Sequence, residues 1–137
     1  METAPYLLFD GDCAAAMSFY RDCFGGELTI TALADTPMKA AFPPALHDRI
    51  INAQLQRGAF RVSASDWMAA DLTPARGNMS AVFVTGPADA DLSEAFERLK
   101  SGASTRHLQE LHEMPFGLYG QLYDRFGVQW IFRGEFT

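Results

Sequence analysis

Positive charge is scarce in this chain. Eleven Lys and Arg stand against 17 Asp and Glu, for a net charge of −6 over 137 residues, and no Lys/Arg cluster offsets the deficit. Nucleic-acid binders need a basic face to displace phosphate counterions, so a nucleic-acid partner is excluded. Cysteine is nearly absent. Cys13 and Cys23 are too few for a secreted disulfide framework, and ten residues apart on one predicted helix they would lie about 15 Å from each other, too far to bridge. Long apolar runs are also missing: METAPYLLFDGD lacks a basic flank, and its apolar stretch is too short for a signal-peptide core or a membrane span. The expectation is a cytoplasmic protein without a membrane partner. There is no P-loop, no GxGxxG after a strand and no GxSxG, which removes the common nucleotide and serine-hydrolase chemistries.

What is present is a repeated pattern. An apolar run over 6–9 reads as a strand, and Asp12 is placed to cap a helix over 13–24 in which Met17, Tyr20 and Phe24 fall at helical spacing. Gly25-Gly26 supplies a left-handed stop. Strand character returns over 27–33, and the proline-bearing stretch 35–48 reads as a loop. Residues 49–56 alternate, with Ile51, Ala53 and Leu55 on one face and Asn52, Gln54 and Gln56 on the other. Arg57-Gly58 turns the chain into a strand over 59–65. After a polar connection carrying Trp67, Pro74 and Gly77, a strand over 79–84, a Gly86 turn, a helix and a Gly102 stop repeat the series. Strands over 101–108, 118–123 and 128–132 complete it, the last two joined by Asp124-Arg125-Phe126-Gly127. Two β-α-β-β-β modules, about 1–66 and 78–137, account for the chain as one domain.

Three chemistries compete for the first module. LLFDGD resembles the first motif of haloacid-dehalogenase-type phosphatases, but no lysine and acidic magnesium ligands follow on a parallel sheet. LLFDGDC resembles the opening of the DCC thiol-disulfide oxidoreductases, but Ala16 stands where the second cysteine belongs. Capping and turn roles for Asp10 and Asp12, with a packed thiol at Cys13, remain. His47, His107, His112, Glu110 and Glu113 show no metal-ligand spacing, since His107 and His112 fit neither helical i, i+4 geometry nor strand alternation. A ligand site has better candidates: Trp67, Tyr119, Trp130, Tyr123 and Phe126 can line an apolar cleft, and Asn52, Gln54 and Gln121 can supply orienting amides.

Taken together, YLLFDGDCAAAMSFYRDCFGGEL, RIINAQLQRGAFRVSASD and YGQLYDRFGVQWIF resemble the PhnB-like branch of the vicinal oxygen chelate superfamily, which also holds glyoxalase I, bleomycin-resistance proteins and extradiol dioxygenases. The resemblance implies an α+β fold in which two βαβββ modules form an open, curved mixed sheet around a cleft, commonly in a homodimer. Some members carry a demethylubiquinone-methyltransferase label, but no glycine-rich S-adenosylmethionine loop occurs here. In metal-using relatives the ligands are His, Gln or Glu on the first and last strands of each module. The corresponding places here lie near Pro5, 62–64, Asn78 or Met79, and Trp130 or Ile131, and they offer no ligand set. Many PhnB-like sequences also have a histidine where this chain has Asn52, an exchange that removes an imidazole base and metal ligand.

The expectation is therefore a protein that binds a small apolar or aromatic molecule through Asn52, Gln54, Trp67, Tyr119, Gln121 and Trp130, with no metal ligands among its residues and no cofactor beyond a divalent metal that stays possible. The alternatives are a metal-dependent lyase, isomerase or dioxygenase, with ligands such as Gln54, Gln121 or Glu113, and a structural or partner-binding module.

Overall fold

In a computed structural model, which describes every residue except Ala70 and Thr73, the chain runs through one element series twice. The first unit, Met1–Ala75, holds β1 (Tyr6–Phe9), α1 (Cys13–Phe24), β2 (Glu27–Ala32), β3 (Ile50–Arg57) and β4 (Phe60–Asp66). The second, Arg76–Thr137, holds β5 (Val82–Pro87), α2 (Ala90–Leu99), β6 (Gln109–Met114), β7 (Gly117–Tyr123) and β8 (Gln129–Glu135). Each unit is a four-stranded mixed sheet, ordered β1-β4-β3-β2 and β5-β8-β7-β6. The first and last strands of each unit pair in parallel, and the other pairs are antiparallel. The expected α+β class with two βαβββ modules is what the chain adopts.

Alternation decides which face of each sheet is covered. On β3 and β4, Ala53, Leu55, Val62 and Ala64 are buried, and α1 packs against these strands with Cys13, Ala16, Met17, Tyr20, Cys23 and Phe24. In the second unit Leu92, Ala95, Phe96 and Leu99 of α2 are buried, and Phe96 meets Phe132 edge-on at 5.2 Å between ring centroids. A Cβ at Gly120 would stand 3.0 Å from the Phe96 ring, a tight contact that glycine relieves where helix and sheet approach. Gly25 and Gly26 end α1 with φ of +76° and +101°, as their sequence suggests.

Three expectations are corrected by the structure. The strand expected over 79–84 is Val82–Pro87 and runs through Gly86, so the bend before α2 falls at Ala88-Asp89 and not at Gly86. Asp12 makes no side-chain cap on α1. The buried carboxylate of Asp66 does that work from the end of β4: its Oδ1 accepts from the Gly11 and Cys13 N–H groups at 2.8 and 3.0 Å, and its Oδ2 from the Ile50 N–H at 2.8 Å. One side chain thus ties the helix start to the beginning of β3. The stretch 101–108 is not a strand. It carries turn hydrogen bonds, from the Ala103 N–H to the Lys100 carbonyl and from the Arg106 N–H to the Ser104 hydroxyl, with a single backbone bond to a strand among the described residues, from the Ser104 N–H to the Tyr123 carbonyl, and Gly102 and His107 have positive φ. The strand that fills this place in the sheet is the polar, mostly exposed β6. The loop over 35–48 is built from short 3₁₀ turns at Leu33–Asp35, Pro37–Ala41 and Pro44–Leu46. Among the described residues, no helix is long and apolar enough to cross a membrane.

Candidate functional site

Since each helix covers one face of its sheet, the face left uncovered is where strand side chains can meet a ligand. In the first unit the registers align Tyr6, Ser63, Gln54 and Thr29 in one cross-strand row. In the second they align Phe83, Ile131, Gln121 and Gln109. Both rows set an aromatic ring on the first strand and a glutamine two strands away, with Ser63 leaving room between them in one sheet and Ile131 filling that place in the other. Gln54 and Gln121 are half-buried, and neither amide has a hydrogen-bond partner among the described residues. Asn52 lies on the same face as Gln54 and is exposed. Tyr119, on the face of Gln121, is half-buried, with the His112 ring 6.1 Å away in an edge-on arrangement. At the far end of the same strand, the Tyr123 hydroxyl donates to Gln129 Oε1 at 3.1 Å.

The other two expected site residues lie elsewhere. Trp130 belongs to the helix-covered face, fully buried, and its Nε1–H donates to Asp124 Oδ2 at 2.9 Å. The Asp124 Oδ1 also accepts from the Phe126 and Val128 N–H groups, closing the turn between β7 and β8. Trp67 follows β4 and lies at the sheet end beside the loops. The structure therefore brings Asn52 with Gln54 and Tyr119 with Gln121, and places Trp67 and Trp130 apart from both pairs. The row partners Tyr6, Ser63, Phe83 and Ile131 were not singled out from the sequence. Alternation within a strand was readable, but the register that aligns strands depends on the whole sheet.

Among the described residues, the divalent metal that the resemblance implies for some relatives finds no fitting donor set. The uncovered face of the first sheet offers hydroxyls and neutral amides at Ser63, Gln54 and Asn52, which are weak ligands for a transition metal without a carboxylate or imidazole beside them. Of the places where relatives hold metal, Val62 and Ala64 are buried in the core, and Met79 is an exposed thioether. The histidines are engaged separately: His47 Nε2 lies 2.9 Å from the Lys39 carbonyl oxygen, His112 Nδ1 lies 2.8 Å from that of Glu110, and the His107 ring is 6.1 Å from that of Tyr123. Among the described residues no three His, Cys, Asp or Glu side chains gather as a metal group. Redox chemistry at Cys13 fares no better. Burial, with the Asp66 and Asp12 carboxylates adding to it, pushes its thiol up to about 12, so the nucleophilic thiolate is disfavoured at neutral pH.

The Glyoxalase/Bleomycin resistance protein/Dioxygenase superfamily model matches residues 3–132. Among solved structures, protein PA1353 from Pseudomonas aeruginosa is similar at a TM-score of 0.85 and 28% identity, over 100% of this chain and 99% of that one. A PhnB protein from Bacillus cereus is similar at 0.68 and 18%, over the full length of both chains. A mutant of the fosfomycin resistance protein FosX from Listeria monocytogenes, solved with Mn(II) and 1S,2S-dihydroxypropylphosphonic acid, is similar at 0.61 and 12%, over 98% of this chain and 92% of that one. No curated protein gave a match. With a duplicated βαβββ fold and a family match over nearly its whole length, the chain belongs to the Glyoxalase/Bleomycin resistance protein/Dioxygenase superfamily.

Proposed function

We propose that the protein binds a small apolar or aromatic molecule on the uncovered sheet faces, oriented by neutral amides and not by a metal. The observation that carries this reading is the repeated row, Tyr6 with Gln54 and Phe83 with Gln121, in which the amide has no hydrogen-bond partner among the described residues. Two strand spacings separate ring from amide by about 10 Å, the scale of a small ring system. An amide presents a donor and an acceptor together, so it selects a ligand by hydrogen-bond pattern more than by charge. Binding without turnover fits sequestration of the bleomycin-resistance kind. On the same reading the protein is cytoplasmic and dimeric; light scattering on purified material checks the dimer, and cell fractionation the location.

A thermal-shift screen of small aromatics, ketoaldehyde-thiol adducts and glycopeptide antibiotics tests the proposal. At least one class is expected to raise the melting temperature, and Gln54→Leu or Gln121→Leu should weaken that ligand by about tenfold, the loss of one well-made hydrogen bond. Stoichiometric, tightly held Ni, Zn, Fe or Mn in the purified protein would overturn it in favour of a metal-dependent lyase, isomerase or dioxygenase. Uniform failure of the screen would favour a structural or partner-binding module.

A further inference from the structure

We propose a second small-molecule site at the loop end of the first unit, one that takes a flat aromatic molecule carrying a carboxamide or lactam. A cavity of about 330 Å³ opens there, lined by Asp10, Leu46, Arg49, Trp67, Leu72 and Pro74. It is distinct from both amide rows, because its residues come from the end of β1, the approach to β3 and the segment leaving β4. Arg49 Nη1 donates to Asp10 Oδ1 at 2.8 Å and to the Trp67 carbonyl oxygen at 3.0 Å. That leaves Arg49 Nη2 and Asp10 Oδ2 without partners among the described residues. A Cβ at Gly11, just after β1, would stand 3.7 Å from Nη2, so glycine there keeps that side open.

These two free atoms define the ligand. An amide presents C=O and N–H side by side, the carbonyl accepting from Arg49 and the N–H donating to Asp10. A carboxylate satisfies Arg49 but is repelled by Asp10, and an amidinium meets the reverse conflict. The remaining walls are apolar: Leu72 is 60% exposed at the mouth, and Leu46, Pro74 and the Trp67 indole offer flat contact surface. The indole Nε1 is buried and has no acceptor among the described residues.

Benzamide, benzoate and benzamidine at matched concentrations test the site by tryptophan fluorescence. The chain has two tryptophans, so Trp67→Phe identifies the source of the signal. Benzamide is expected to change the emission saturably, with benzoate and benzamidine about tenfold weaker or worse, the cost of one unmatched polar contact. The response should vanish in Trp67→Phe and fall by about tenfold in Arg49→Lys, which cannot reproduce the guanidinium fork. Ala69→Phe, an exposed lining residue whose replacement leaves the ion pair in place, should abolish it by filling the cavity. Equal affinity for the three probes, a response that survives Ala69→Phe, or no saturable response to benzamide would each overturn the proposal.

Discussion

In the first unit the start of the helix is fastened from 53 residues away by Asp66, whereas in the second Asp89 caps α2 locally, its Oδ1 accepting from the Leu92 N–H at 3.1 Å. The two units share connectivity and strand order, so the difference lies in how the polar ends are satisfied. A carboxylate shared by the β1-α1 turn, the helix and β3 makes three segments depend on one side chain. A local cap binds only its own turn. The second unit spends its buried carboxylate, Asp124, on the β7-β8 turn and the Trp130 indole. Strand order is thus repeated with little constraint on where the stabilising polar groups sit, and loops are free to diverge. The long connection falls between β2 and β3 in one unit and between α2 and β6 in the other.

That comparison can be broken most directly at Asp66. Asp66→Ala leaves three backbone N–H groups without their acceptor and should cost about 4 kcal/mol, as for other buried charged networks. Asp89→Ala should cost only about 1 kcal/mol, the usual loss of an N-cap. Urea denaturation of the two variants measures both, and equal losses would contradict the distinction. An effect between those two is expected from Trp130→Phe, which keeps the ring in the core and deletes one charge-assisted hydrogen bond, at about 2 kcal/mol. This change should leave the affinity of any small-molecule ligand intact, because the indole lies on the covered face; a large loss of binding with full stability would place Trp130 in the site after all.

The smallest effect at neutral pH concerns Cys13. Its thiol is held up to about 12 in the native state, while in the unfolded chain it ionises near the ordinary value, so above about pH 9 the unfolded state carries fewer protons. The corresponding stability is intact below that pH and is lost progressively between about 9 and 12. Cys13→Ala should remove this part of the alkaline fall in melting temperature. An unchanged profile would show that the thiol does not contribute.

Much of the architecture was legible because it rests on local signals. The periodic burial of Met17, Tyr20 and Phe24, the alternation of 49–56 and the double glycine after α1 all reflect contacts within one or two turns of chain. The failures share a different cause. Asp12 was the nearest candidate cap, but Asp66 takes the role through the pairing of β1 with β4, which leaves no mark near either residue. The strand Gln109–Met114 was passed over for 101–108 because an exposed edge strand is allowed to be charged, and QELHEM carries little apolar alternation. Among the site residues, Asn52 and Gln54 were readable as one polar face. Their alignment with Tyr6 and Ser63 was not, since it depends on register between strands far apart in sequence. The same holds for the Asp10, Arg49 and Trp67 corner, assembled from three separate loops.

The central claim is that neutral amides on the uncovered sheet faces, and not a metal, hold the ligand. Its most direct test is one thermal-shift series on a ligand found in the screen, run with and without EDTA on the wild type and on the Gln54→Leu, Gln121→Leu double variant. The account predicts a shift that is unchanged by EDTA and lost in the double variant. A shift abolished by EDTA and retained in the double variant would contradict it.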